Sequence, residues 1–125
     1  MKEALSPPSA PTPIGPYSPI VRASGELFFF SGQIALDSGG NLVGTTIAEQ
    51  TDRVCRNIAT LLESVGLTFD NVVKTTVFLR SMNDFAEMNA VYERYFGASK
   101  PARSTVEVSG LPKGALVEIE VVAVR

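Results

Sequence analysis

The chain has 125 residues, of which 45% are hydrophobic and 19% are charged, with a formal net charge of −2. This length fits a single domain over residues 1–125, and no apolar run approaches the ~20 residues of a membrane span. With no histidine and one cysteine, Cys55, the composition excludes serine–histidine triads, histidine-ligated or multi-cysteine metal sites and an internal disulfide. The acidic balance, without a lysine or arginine cluster, argues against nucleic acid as a partner. We therefore expect a cytoplasmic protein that binds neither nucleic acid nor membranes.

The N-terminal segment is rich in proline. Six of the eight prolines fall between positions 7 and 19, which predicts an extended arm rather than a helix. We expect the second half of this arm to pack on the body of the protein and residues 1–9 to be mobile. The apolar segments 20–23 and 27–31 flank a Ser24-Gly25 turn signal, which predicts a β-hairpin.

Two helices are predicted from apolar residues at helical spacing. The first begins at Thr46, which with Glu49 matches a capping box, and ends at Gly66. The second begins at Ser81 and ends at Gly97. Each helix has one apolar stripe, so each is expected to pack on a sheet.

Valine-rich segments at 72–79, 104–108 and 116–124 predict three further strands. The resulting order, ββ-α-β-α-ββ, predicts an α+β domain in which two helices pack on one face of a mixed sheet. Several strands are apolar on both faces, although two helices cover only one of them. Because monomers rarely expose a large apolar face, we expect other copies of the chain to cover the second face.

Charged residues alternate with apolar residues in the last two strands. Arg103, Thr105 and Glu107 share one strand face, as do Glu118 and Glu120, and we expect both sets on the face covered by other copies. If these strands form a simple hairpin, Arg103 lies opposite Glu118. Two interpretations remain open: a structural ion pair at a subunit interface, or a site where the arginine binds a substrate carboxylate and the glutamate moves protons.

Four other residues or pairs attract attention for their chemistry. Tyr17 fits packing of the arm, and Ser31-Gly32 fits a turn where backbone can approach a ligand closely. Asn89 interrupts an apolar helical stripe and fits a structural hydrogen bond. Cys55 fits a small buried hydrophobe.

Segments along most of the chain resemble the RidA family of imine/enamine deaminases, also called YjgF or endoribonuclease L-PSP. The resemblance is carried, in chain order, by Ile14-Gly15-Pro16-Tyr17-Ser18, Phe30-Ser31-Gly32-Gln33-Ile34, Val73-Lys74-Thr75-Thr76-Val77-Phe78, Asn83-Asp84-Phe85, Asn89, Pro101-Ala102-Arg103-Ser104, Leu111-Pro112-Lys113 and Val117-Glu118-Ile119-Glu120. The C-terminal part is the most specific, since the arginine and the glutamate have the separation found in the family.

The resemblance implies a chorismate-mutase-like fold and a homotrimer with sites in the clefts between subunits. It also implies hydrolysis of 2-imino acids or 2-aminoacrylate-type enamines to 2-keto acids and ammonia, without a cofactor. Carried onto this chain, it assigns the substrate carboxylate to Arg103 and the attacking water to Glu118. The remaining pocket residues it implies are Tyr17, Ser31, Gly32, Asn89 and, mainly through its backbone, Thr105. Many members have cysteine at the position of Thr105, so a thiol role is not expected here.

Two other functions are retained as alternatives. One is an endoribonuclease or translation inhibitor, as the older family label suggests, although the acidic charge balance opposes it. The other is a trimer that binds small acids in the same clefts without turnover, or acts as a chaperone. Consumption of an imine separates the deaminase from both alternatives, because neither of them has this activity.

Overall fold

The computed structural model describes all 125 residues. Its strands and helices are β1 (Lys2–Leu5), β2 (Ile20–Ala23), β3 (Leu27–Gln33), α1 (Ile47–Ser64), β4 (Val72–Leu79), α2 (Phe85–Phe96), β5 (Ala102–Glu107) and β6 (Val117–Val124). The predicted α+β class is confirmed. No helix combines the length and the apolar character required to cross a membrane.

The main sheet has four strands in the order β3-β6-β4-β5. β4 and β5 are parallel and α2 connects them, whereas β6 is antiparallel to both β3 and β4. A parallel pair needs such a crossover because the chain must return to the starting edge of the sheet. Both helices pack on one face of this mixed sheet, as predicted, and the hydrophobic core lies between the two layers.

The predicted hairpin between residues 20–23 and 27–31 is wrong. β3 pairs with β6, and β2 pairs with β1 in a separate two-stranded sheet. Two of the β3 side chains, Phe28 and Phe30, contact the core, so the strand belongs to the main sheet. Residues 2–5 form β1 and pair with β2, whereas the sequence predicted a mobile arm over residues 1–9.

The face of the main sheet opposite the helices, called here the open face, carries exposed apolar side chains. Phe29 is 74% exposed, Leu27 52% and Val106 43%. Two of these residues lie on β3 and the third lies on β5, so the exposed groups extend from one edge of the sheet to the other. Such a surface is typical of an interface with another protein chain.

The start of α1 follows the predicted capping box. The backbone N–H of Glu49 donates to the Thr46 hydroxyl at 3.1 Å, and the Glu49 carboxylate accepts from the backbone N–H groups of Thr45 at 3.0 Å and Thr46 at 3.1 Å. These bonds satisfy amides that the helix itself leaves free. Because they stabilise the charged carboxylate, they lower the pKa of Glu49.

The capping box predicts a pH-dependent contribution to stability. A carboxyl group whose pKa is lower in the folded than in the unfolded state stabilises the fold at any pH above its unfolded-state pKa. This stabilisation is lost as the pH falls through the folded-state pKa. Glu49→Gln keeps an oxygen acceptor but removes the titrating charge. We expect urea unfolding to show the wild type more stable than this variant at pH 7, with the difference shrinking toward pH 3.

The control is Glu63→Gln, at an exposed position near the other end of α1 and away from the capping box. A stability difference between wild type and Glu49→Gln that stayed constant from pH 7 to pH 3 would contradict the prediction.

Candidate active site

Arg103 lies on the edge strand β5 and points to the helix side of the sheet. It is in register with Thr75 of β4, whose hydroxyl is hydrogen-bonded to the Tyr92 hydroxyl on α2 at 2.8 Å. The Arg103 guanidinium lies 4.7 Å from the centroid of the Tyr92 ring, 5.4 Å from that of Tyr17 and 5.7 Å from that of Phe85. All three distances are within the range of cation–π attraction. The guanidinium is therefore surrounded by aromatic rings from the arm and from α2.

Within its own chain, the guanidinium of Arg103 has no carboxylate partner. Its one hydrogen bond within the chain runs from Nη1 to Oδ1 of Asn89, at 2.6 Å. The three ion pairs of the protein join other residues, namely Arg22 with Glu3, Arg56 with Asp52 and Arg125 with Glu26. Partial burial lowers the pKa of Arg103, but a guanidinium stays charged at neutral pH. The result is a half-buried cation with most of its five N–H donors free.

Two predicted pocket residues, Tyr17 and Asn89, lie beside Arg103. Tyr17 is half-buried at the end of the arm, and the arm is attached to the start of β5 by a hydrogen bond from the Ser18 hydroxyl to the Lys100 carbonyl, at 2.6 Å. The side-chain oxygen of Asn89 accepts a hydrogen bond from Arg103. The structural hydrogen bond expected for Asn89 from its sequence position therefore ends on the candidate binding group itself.

A pocket of about 510 Å³ opens in front of the arginine. Its lining residues, four of which are apolar, are Ile14, Tyr17, Met82, Phe85, Arg103 and Thr105. Thr105 follows Arg103 on the same strand face, and its buried hydroxyl has no hydrogen-bond partner. The pocket thus combines one cation with mainly apolar walls, as many sites for small molecules do.

Glu118, Gly32 and Ser31 form a second group of predicted site residues. Glu118 lies on β6, and a β-carbon built on Gly32 of β3 would fall 2.0 Å from its Oε2 atom. Only glycine leaves room for the carboxylate at this point. Ser31 and Gly32 are exposed and Glu118 is half-buried, so the glutamate is accessible from outside. It takes part in no ion pair.

The expectation that Arg103 lies opposite Glu118 is wrong. Arg103 is in register with Thr75, whereas Glu118 is in register with Phe78, and β4 separates the two strands. Because side chains alternate along β4, the arginine points to the helix side and the glutamate to the open face. The two Cα atoms are about 10 Å apart across the sheet and about 10 Å apart along it.

The same register corrects the face assigned to Thr105 and Glu107. They are in register with Val77 and Leu79, which are fully buried beneath the helices. The cause is the parallel crossover, which places β4 between the two strands expected to form a hairpin. The predicted residues therefore form two groups, one around Arg103 and one around Glu118, that do not meet within one chain.

The contact between Gly32 and Glu118 leads to a prediction. The backbone of Gly32 does not require positive φ, so Gly32→Ala is expected to fold with nearly unchanged stability while its methyl group displaces the carboxylate. A displacement of about 1 Å at a reacting group can cost about 100-fold in rate. If Glu118 acts in catalysis, kcat/KM should fall by about this factor in steady-state assays.

The matched control is Gly110→Ala, because a β-carbon at Gly110 meets no atom within 4 Å. It should leave kcat/KM and the unfolding midpoint unchanged. Full activity of a folded Gly32→Ala variant would show that the carboxylate position does not matter.

Sequence reasoning missed Ile14, Met82 and Phe85 of the pocket lining, and also Tyr92, which lies against the guanidinium but outside that lining. Met82, Phe85 and Tyr92 belong to the apolar stripe predicted for the second helix, and Tyr92 is indeed fully buried. A hydroxyl within a core stripe was the signal that could have identified Tyr92, because a buried phenol needs a polar partner. Cys55 is fully buried as predicted, and burial raises its pKa.

Comparison with known proteins identifies the family. The model of the family described as endoribonuclease L-PSP matches residues 7–125. The chain belongs to this family. The resemblance inferred from the sequence is thereby confirmed for almost the whole chain.

Relatives within the L-PSP family carry two kinds of name. A "RutC family protein" from Pyrococcus horikoshii is 50% identical, covering 100% of this chain and 99% of its own length. A mouse protein named "2-iminobutanoate/2-iminopropanoate deaminase" is 42% identical, covering 100% of this chain and 93% of its own. Among solved structures, a protein of the conserved Rid family from Yersinia pestis has a TM-score of 0.89 at 29% identity, covering 99% of this chain and 98% of its own.

Proposed function

We propose that this protein hydrolyses 2-imino acids, and their enamine tautomers, to 2-keto acids and ammonia. The main support is Arg103, a half-buried cation without a carboxylate partner at the wall of a pocket large enough for a small metabolite. A carboxylate bound by two parallel N–H bonds is the ligand that a guanidinium fits best. Relatives named imine deaminases support the same reaction.

We further propose that each site is completed by Glu118 of a neighbouring copy in a homotrimer. Within one chain the two groups lie on opposite faces of the sheet, so the arginine needs an acid from elsewhere. Glu118 lies on the open face together with exposed Phe29 and Val106. Contact through this face would bury apolar surface and carry the carboxylate to the neighbouring pocket.

The reaction can then be written with defined roles. Arg103 holds the carboxylate of a protonated imine, whose carbon is already electrophilic. Glu118 takes a proton from water as the water oxygen bonds to this carbon, giving a carbinolamine. The proton passes from Glu118 to the nitrogen, the C–N bond breaks and ammonia leaves. Glu118 takes up the hydroxyl proton as the 2-keto acid forms, and the released ammonia then accepts this proton and leaves as ammonium.

The experiment is an imine-clearance assay. An amino-acid oxidase generates the imine from L-alanine, L-2-aminobutyrate or L-leucine, and semicarbazide traps the portion that survives. We expect added protein to reduce the trapped imine and to release 2-keto acid and ammonia in equal amounts. Binding of 2-oxobutanoate without any acceleration would support the non-catalytic acid-binding alternative. Cleavage of RNA, abolished by Arg103→Ala, would support the nuclease alternative.

A further inference from the structure

The surroundings of Arg103 raise a physical question. A guanidinium on a long side chain has many rotamers, and partial burial without a counter-charge is unfavourable. One hydrogen bond, to Asn89 at 2.6 Å, fixes one of its nitrogen atoms only. Some other interaction must keep the group oriented in the pocket.

The three rings near the guanidinium differ in how firmly they are held. Tyr17 and Phe85 are half-buried, whereas Tyr92 is fully buried. The Tyr92 ring is stacked on Phe96 with the centroids 4.3 Å apart. Its hydroxyl is hydrogen-bonded to Thr75 at 2.8 Å. Tyr92 is therefore fixed by both α2 and β4, and its centroid is also the closest of the three to the guanidinium, at 4.7 Å.

An aromatic ring and a carboxylate stabilise an arginine in different ways. A carboxylate would occupy the N–H donors and neutralise the charge, so an incoming anion would have to displace it. A ring attracts the cation through its π face and leaves the N–H donors in the guanidinium plane free. A site that must bind an anion is therefore better served by an aromatic ring beside the arginine, because the N–H donors stay free for the anion.

We propose that Tyr92 is a positioning residue for anion binding: its ring is the fixed support that holds Arg103 oriented and unpaired. Tyr92 acts through Arg103 and does not touch the substrate. The inference rests on the proposed function only in taking the bound anion to be a substrate carboxylate. Binding of a stable 2-keto acid tests it without any turnover.

The test compares Tyr92→Phe with Tyr92→Leu in the full-length protein. The probe is 2-oxobutanoate, with Kd measured by calorimetry and KM and kcat measured separately on the alanine-derived imine. Tyr92→Phe keeps the ring, so its Kd should stay within about twofold of the wild-type value. Tyr92→Leu should raise Kd and KM by about tenfold and change kcat less. If Tyr92→Leu does not fold, Tyr92→Met takes its place, because methionine adapts to irregular cores.

The control for lost core packing is Leu62→Ala on α1, since Leu62 is fully buried and takes no part in the arginine pocket. It should lower the unfolding midpoint and leave Kd unchanged. The proposal would be overturned if folded Tyr92→Leu or Tyr92→Met bound 2-oxobutanoate with the wild-type Kd. It would also be overturned if Leu62→Ala lost as much affinity as the variant without the ring. Absence of imine turnover combined with the expected order of Kd values would reject the deaminase function and retain the role of Tyr92.

Discussion

Arg103→Ala is expected to lower kcat/KM for imine hydrolysis by about 1000-fold or more, with most of the loss in substrate binding. The physical reason is the loss of two charge-assisted hydrogen bonds to the carboxylate, each worth about 1.5–3 kcal/mol. Arg103→Lys should recover only a small part of the activity. An ammonium group cannot form the planar pair of bonds or stack on the rings of Tyr17 and Tyr92 as a guanidinium does.

The change should have little effect on folding. Arg103→Ala removes the hydrogen bond to Asn89 and the ring contacts, but it also removes the cost of a partly buried cation without an ion-pair partner, so we expect the unfolding free energy to change by less than about 1 kcal/mol. Arg94→Ala is the matched control, because Arg94 is exposed on α2 and lies outside the pocket lining. Near-normal KM in a folded Arg103→Ala variant would remove the main support for the proposed function.

Mixing two inactive variants is expected to restore activity. Arg103→Ala and Glu118→Ala should each be nearly inactive alone. If every site takes its arginine from one copy and its glutamate from the next, co-refolded trimers made from equal amounts of both variants contain some sites with both groups intact. With random assembly, about one site in four regains both groups, giving about a quarter of wild-type activity.

The recovery distinguishes a shared site from a site within one chain. Intact sites would never form by mixing if both groups acted within the same copy. Refolding Arg103→Ala with Arg103→Lys is the control, because neither chain supplies the guanidinium, and activity should stay at the mean of the two variants. The same result for the Arg103→Ala and Glu118→Ala mixture would contradict a site shared between copies.

The local features of the fold were predictable from sequence because they depend on neighbouring residues. The capping box of Thr46 and Glu49 fixes the start of α1, and β4 occupies the predicted residues 72–79. Strand pairing depends on contacts between distant parts of the chain. The alternation of side chains on β5 and β6 was correct, but no local signal showed that β4 would lie between them.

The candidate site shows the same division between local and distant information. Arg103, Asn89 and Tyr17 could be identified from the sequence, and they do lie together. The separation of Arg103 from Glu118 could not be seen without the strand order. Tyr92 was missed because its spacing on α2 is that of a core residue, and only the structure shows a cation on its ring.

The parallel pairing of β4 with β5 has a consequence for how such a protein can diverge. The continuous segment 72–107 carries the arginine, its amide acceptor and two of its three aromatic neighbours. Glu118 belongs to the strand that follows and faces the opposite way. If Glu118 moves the protons as proposed, its substitution abolishes hydrolysis and leaves the pocket around Arg103 in place, so binding of organic acids and chemistry can evolve independently.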